Sequence, residues 1–319
     1  MKRTVRALLT LVVMLTLAIG FSQTTHAQTV GQADIKAAVK WLSTLQNNDG
    51  GFGDGTKPES NVGATADAVY AIAVAGEDVT TFKKGDKTPI DYLQDQVKAG
   101  KVTAVGDIGR LLRAVSLAVG EGQRAFGGTD LVQMTIDALN KAKDGGDIYG
   151  EALAVIALSE VDEVPRAAIA SLLKAQNPDG GWGSAGGQPS DTNSTAQVIE
   201  ALISSGRYRL IGSALAYLKS QQNADGGWPL QKSSKGAVDS DSISTAIVIE
   251  ALGMSGEDLV DWNSPDIVLA KFQQKDGSFT AGLAKPAASF AATIAAIPAL
   301  STEALIDVQA PPAQATAAH

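Results

Sequence analysis

Apolar residues recur at helical spacing along most of the chain, in two alternating kinds of segment. One kind is apolar on one face only, as at Ile35, Val39, Leu42 and Leu45, and ends at an Asp-Gly-Gly turn. The other is apolar most of the way round and follows Ser, Thr, Asp or Asn; it recurs over 64–75, 108–119, 151–158, 195–204, 244–254 and 287–296. Glycine tolerates the left-handed turn that closes a helix, and short oxygen-bearing side chains cap its start. No segment shows sustained strand alternation. A helix that is apolar all round belongs inside a fold and an amphipathic one outside, so the pattern predicts an all-α chain of outer and inner helices in pairs.

The pairs repeat. Four segments share a Gln, three residues, then Gly-x-aromatic: Gln46 with Phe52, Gln176 with Trp182, Gln222 with Trp228, and Gln273 with Phe279. Asp49, Asp179, Asp225 and Asp276 each precede the first Gly. The second and third Gln are 46 residues apart and the third and fourth 51, whereas the first two are separated by 130. That gap holds two worn copies, around 89–100 and 131–146. Six units of 40–50 residues predict an (α/α)6 toroid of six helical hairpins over 28–301, with an open helical solenoid as the rival.

The Leu-x3-Gln-x3-Gly-x-Trp signature, followed by a Ser/Thr-Ala-rich helix, resembles the prenyltransferase/squalene-cyclase repeat superfamily. QNPDGGWG and QNADGGWP are similar to its QW repeat, and the match runs over roughly 32–300. The resemblance implies that Gln176, Trp182, Gln222 and Trp228 tie the end of one outer helix to its neighbour. Gln46, Phe52, Gln273 and Phe279 hold the same places in their repeats.

Composition narrows the chemistry. The chain has 319 residues, no Cys, and only two His, of which His319 is the last residue and His26 lies in a leader-like stretch. A Cys/His zinc site, a Cys nucleophile, a Ser-His-Asp triad and disulfides are therefore excluded. Within the superfamily, these absences remove the zinc-dependent transferase and thioester branches. No cofactor and no metal are expected.

Residues 1–27 read as a signal peptide: Lys2, Arg3 and Arg6 precede an apolar run, and Thr25-His26-Ala27 supplies small residues at a cleavage position. This predicts a secreted or extracytoplasmic bacterial protein (periplasm or cell surface), without a stable membrane anchor. The remaining 23 basic and 34 acidic residues argue against nucleic acid as a partner. A small molecule or protein partner and a monomeric state are expected. The segment 302–319, rich in Pro and Ala, reads as a disordered tail.

The class II cyclases of the superfamily protonate a polyene with the middle acid of an Asp-x-Asp-Asp-Thr-Ala motif. The nearest segments here, DSISTA at 241–246 and DTNSTA at 191–196, place Ile243 and Asn193 where that acid stands. Asp191 and Asp241 then fall at helix-cap positions. Asp239 and Asp241 remain as a close acidic pair and candidate acids.

Aligning the inner helices sets Tyr70, Arg113, Ile156, Glu200, Glu250 and Ala295 at one depth. Glu200 and Glu250 interrupt apolar helices, so both are expected to face a central cavity. Asp67, Arg110, Asn193 and Gln197 join them as cavity candidates, and Arg113 should face Glu250 across the ring. Only 16 aromatic residues are present, few for a cavity that stabilises carbocations on ring faces. The first functional expectation is thus a non-catalytic binding module. Its alternatives are a divergent isoprenoid cyclase using Asp239 or Asp241, and a carbohydrate-active enzyme using Glu200 and Glu250 as a carboxylate pair.

Overall fold

The computed structural model describes residues 33–142, 145–233, 238–284 and 286–301. The expected leader and tail lie outside them. Six outer helices alternate with six inner ones among these residues. The outer set is α1 (Ile35–Thr44), α3 (Pro89–Lys98), α5 (Leu131–Lys141), α7 (Arg166–Lys174), α9 (Gly212–Gln221) and α11 (Pro265–Ala270). The inner set is α2 (Val62–Val74), α4 (Val105–Val119), α6 (Ile148–Ser159), α8 (Thr192–Ser204), α10 (Ser242–Ser255) and α12 (Phe290–Ser301). Each inner helix packs on the next, and α12 packs back on α2, which closes the ring. The fold is the expected α/α toroid.

Inner helices start where a side chain can satisfy their free N–H groups. Asn61, Asp147, Asp191 and Asp241 accept from the backbone N–H three residues on, at 2.8, 3.0, 2.7 and 2.7 Å. These caps set the helix starts two to three residues before the apolar runs that predicted them. α12 departs the other way. Its predicted start at 287 is delayed to Phe290, because β2 (Ala288–Ser289) pairs antiparallel with β1 (Phe279–Thr280). That two-residue ladder is a small exception to the all-helical expectation.

The repeated turn is a lock between three elements. The backbone N–H of Phe52, Trp182, Trp228 and Phe279 donates to the Oγ1 of Thr65, Thr195, Thr245 and Thr293 on the inner helix, at 2.9–3.0 Å. The indoles of Trp182 and Trp228 are fully buried and donate to the carbonyls of Leu172 and Leu218 at the outer helix end. Gln46, Gln176, Gln222 and Gln273 each donate to their own turn carbonyl. The same amides reach Phe82, Ser213, Trp262 and Asp34 of the next unit. The four glutamines thus hydrogen-bond across the joints between neighbouring units, and the two indoles bond to their own outer helices. Gly226 and Gly277 sit at φ 95° and 93°, and a Cβ on either would stand 2.6 or 2.3 Å from a carbonyl of the next unit. Conformation and close approach both require glycine there.

No helix among the described residues is long and apolar enough to cross a membrane.

Candidate functional site

The polar stripe of the inner helices builds two layers along the ring axis. In the first, Arg110 on α4 pairs with Asp67 on α2 at 3.1 Å and with Asp107, one turn earlier, at 3.6 Å. Its guanidinium lies 5.8 Å from the Tyr149 ring centroid on α6. One turn further along α4, Arg113 forms the second layer. It stacks 3.7 Å over the Tyr70 ring and donates to the Tyr70 hydroxyl. From there it reaches Glu250 on α10 at 3.7 Å and Glu200 on α8 at 4.0 Å. A single side chain thus bridges from α4 to the opposite wall of the ring, and the expected face-to-face placement of Arg113 and Glu250 holds.

The second layer is largely buried. Glu200 is 2% exposed, Arg113 14% and Glu250 15%. Burial raises the pKa of both carboxyls above the ordinary glutamate range. The Glu250 charge raises Glu200 further, while Arg113 pulls both back toward ionisation. Gln197, one turn before Glu200, donates to its Oε2 at 3.2 Å. Two carboxyls facing one guanidinium leave an excess negative charge in a low-dielectric site. Retention of one proton between them relieves it.

Asn193 stands one turn before Gln197 on the same face of α8, and its Oδ1 is buried without a hydrogen-bond partner among the described residues. The proposed acids Asp239 and Asp241 do not join this constellation. Both Asp241 oxygens are occupied at the start of α10, accepting from the Ser244 N–H at 2.7 Å and its hydroxyl at 2.9 Å. Asp239 is exposed. Asp241 is a helix cap, as Asp191 is for α8 through Ser194. Nine residues separate it from Glu250, about 13 Å of helix.

Sequence reasoning missed Asp107 and Tyr149, which complete the Arg110 layer. Their only signal was Asp107 at i,i−3 from Arg110. A separate polar groove of about 570 Å³ lies at the turns of the fourth and fifth units, lined by Asn177, Asp179, Gln188, Ser190 and Tyr217. Asp179 is already engaged there by Ser190 and the Gly181 N–H. Among the described residues, no group of three His, Cys, Asp or Glu side chains is arranged to hold a metal ion.

A family model described as the prenyltransferase alpha-alpha toroid domain matches residues 2–102 and 149–310. Drimenyl diphosphate synthase from Streptomyces showdoensis is 48% identical over 64 residues, which cover 19% of this chain and 12% of that protein. The match thus spans a small part of that relative's length. The type II terpene cyclase MstE from Scytonema, in its apo form, superposes with a TM-score of 0.61 at 15% identity. That superposition covers 85% of this chain and 97% of the other. A glycosidase in complex with glucose reaches 0.58 at 12% identity, over 85% and 96% of the two chains. At these identities the solved structures establish a common fold.

Proposed function

The chain belongs to the prenyltransferase alpha-alpha toroid family, and from that premise we propose that it is a proton-initiated isoprenoid cyclase whose acid is the Glu200–Glu250 pair. The observation that carries this reading is a buried carboxyl pair on the ring axis, held against one guanidinium and raised in pKa. The shared terpene-cyclase fold and the short drimenyl diphosphate synthase match favour it over the non-catalytic binding module. The acid moves from Asp241, which is consumed as a helix cap, to Glu200.

In this mechanism the neutral carboxyl gives its proton to a terminal alkene carbon. The π electrons form the new C–H bond, and a tertiary cation is left on the neighbouring carbon. The next alkene closes on that cation, forming a C–C bond and shifting the positive charge along the chain. Loss of a proton from an adjacent carbon to the carboxylate pair ends the reaction and restores the acid. Arg113 compensates the carboxylate left behind, so burial keeps the proton in place and the guanidinium eases its departure. Tyr70 and Tyr149 already have arginines against their rings. The unbalanced carboxylate charge then supplies the cation stabilisation that aromatic faces give elsewhere.

The carbohydrate reading has less support. Glycoside hydrolysis needs two carboxyls flanking the scissile bond, whereas Glu200 and Glu250 here flank the Arg113 guanidinium, at 4.0 and 3.7 Å. The test is product analysis by gas chromatography and mass spectrometry after incubation with polyprenyl substrates. Cyclised product that falls by a factor of about 10²–10⁴ in Glu200→Gln, yet persists in Asp241→Asn, supports the proposal. Ligand retention with no turnover would return the protein to the binding-module reading.

A further inference from the structure

We infer that the axis is built for an isoprenoid whose head group is an uncharged hydroxyl, a polyprenyl alcohol rather than its diphosphate; the inference rests on the cyclase reading above. Exposure along the stripe sets the orientation. Asp67 and Asp107, near the start of the inner helices, are 38% and 40% exposed, whereas Glu200 is 2% exposed. The reacting alkene belongs beside Glu200, so the other end of the substrate lies toward the helix starts.

Three features of that end fit a neutral head group. First, neither axis arginine is free. Arg110 is engaged by Asp67 and Asp107, with Asp147 also acting on its charge. Arg113 is engaged by Glu200, Glu250 and Tyr70. A diphosphate arriving there meets surplus carboxylates instead of an open cation. Second, the N-termini of helices ordinarily attract anions. Here Asp147, Asp191 and Asp241 already fill three of them with carboxylates, and Asn61 fills a fourth. Third, the Asn193 Oδ1 is a buried acceptor without a donor, on the face of α8 that also carries Gln197 and Glu200. Such an orphan calls for a hydrogen-bond donor. A hydroxyl supplies one; a fully ionised diphosphate has none. Asn193 is seven residues from Glu200, about 10 Å along the helix, which separates a bound head group from the reacting end.

The experiment compares farnesol with farnesyl diphosphate on the full chain, with and without Mg²⁺, by calorimetric binding and by product analysis. The expected result is at least tenfold tighter binding of farnesol, and product from farnesol alone. Asn193→Leu should weaken farnesol binding about tenfold, the loss of one hydrogen bond to a buried acceptor, and leave residual diphosphate binding unmoved. Tighter binding of the diphosphate overturns this inference while leaving the cyclase reading intact. An unchanged farnesol affinity in Asn193→Leu overturns the role of Asn193. If neither compound binds or reacts, and longer polyprenyl substrates also give no product, the cyclase reading fails and this inference fails with it. The wild-type comparison needs no variant to fold.

Discussion

Glu200 sits eight residues past the start of α8, in the run TAQVIEAL, with Ile199 and Ala201 on either side of it in sequence. Its carboxyl touches Gln197 one turn back and Arg113 from across the ring. Removing one member of such a buried set leaves the others uncompensated. Arg113→Leu should therefore destabilise the fold by about 3–5 kcal/mol in urea unfolding near pH 8. Near pH 5 the loss should shrink, since both glutamates can then take up protons. The sign of the pH dependence follows from the raised carboxyls. Their contribution to stability is complete below the ordinary glutamate value of about 4.3, and it drains away as pH rises through the higher folded values. Thermal melting of the wild type should accordingly drop from about pH 5 to about pH 9, by at most about 1.4 kcal/mol per pH unit for each proton involved. Glu200→Gln should flatten that slope. An equally steep slope in the variant would show that the proton resides elsewhere.

The helical hairpin is held chiefly by its turn. Trp228→Phe keeps most of the buried ring area but removes the indole donor to Leu218, so a loss of about 1–2 kcal/mol in chemical denaturation is expected. Gly277→Ala should be worse, because it combines a left-handed φ with a Cβ 2.3 Å from the Ala37 carbonyl. The elements themselves were legible because outer and inner helices differ in how far round they are apolar. Their starts were less so. A cap such as Asn61 or Asp241 lies ahead of the apolar run, and Ala288 reads as helix until Thr280 is known to pair beside it. The same contrast governs the site. Arg113, Glu200 and Glu250 stand out because a charge in mid-helix is rare among apolar neighbours. Asp107 and Tyr149 lie in first turns, where polar residues are ordinary. Asp241 misled because its motif register places it near a family's acid, and only hydrogen-bond geometry shows both of its oxygens already in use.

At the scale of the whole molecule, the last and first units are joined by the packing of α12 on α2 and by a hydrogen-bonding side chain. Gln273 accepts from the Asp34 N–H and donates to the Asp34 carbonyl, each at 2.7 Å. Gln273→Ala should raise hydrogen exchange in α1 and α11 before it affects α6, which lies on the far side of the ring. Uniform protection throughout would mean that apolar packing of α12 on α2 alone holds the seam.

That closure also carries a cost in time. The flank of α2 that meets α12 is completed only after more than two hundred further residues have been made. At about 5–20 residues per second, a ribosome takes roughly 10–40 s to supply them. Throughout that interval the first hairpin presents an uncovered apolar side to the cell. Nascent chains stalled before α12 should therefore remain open to proteases and chaperones, however well their earlier hairpins have formed.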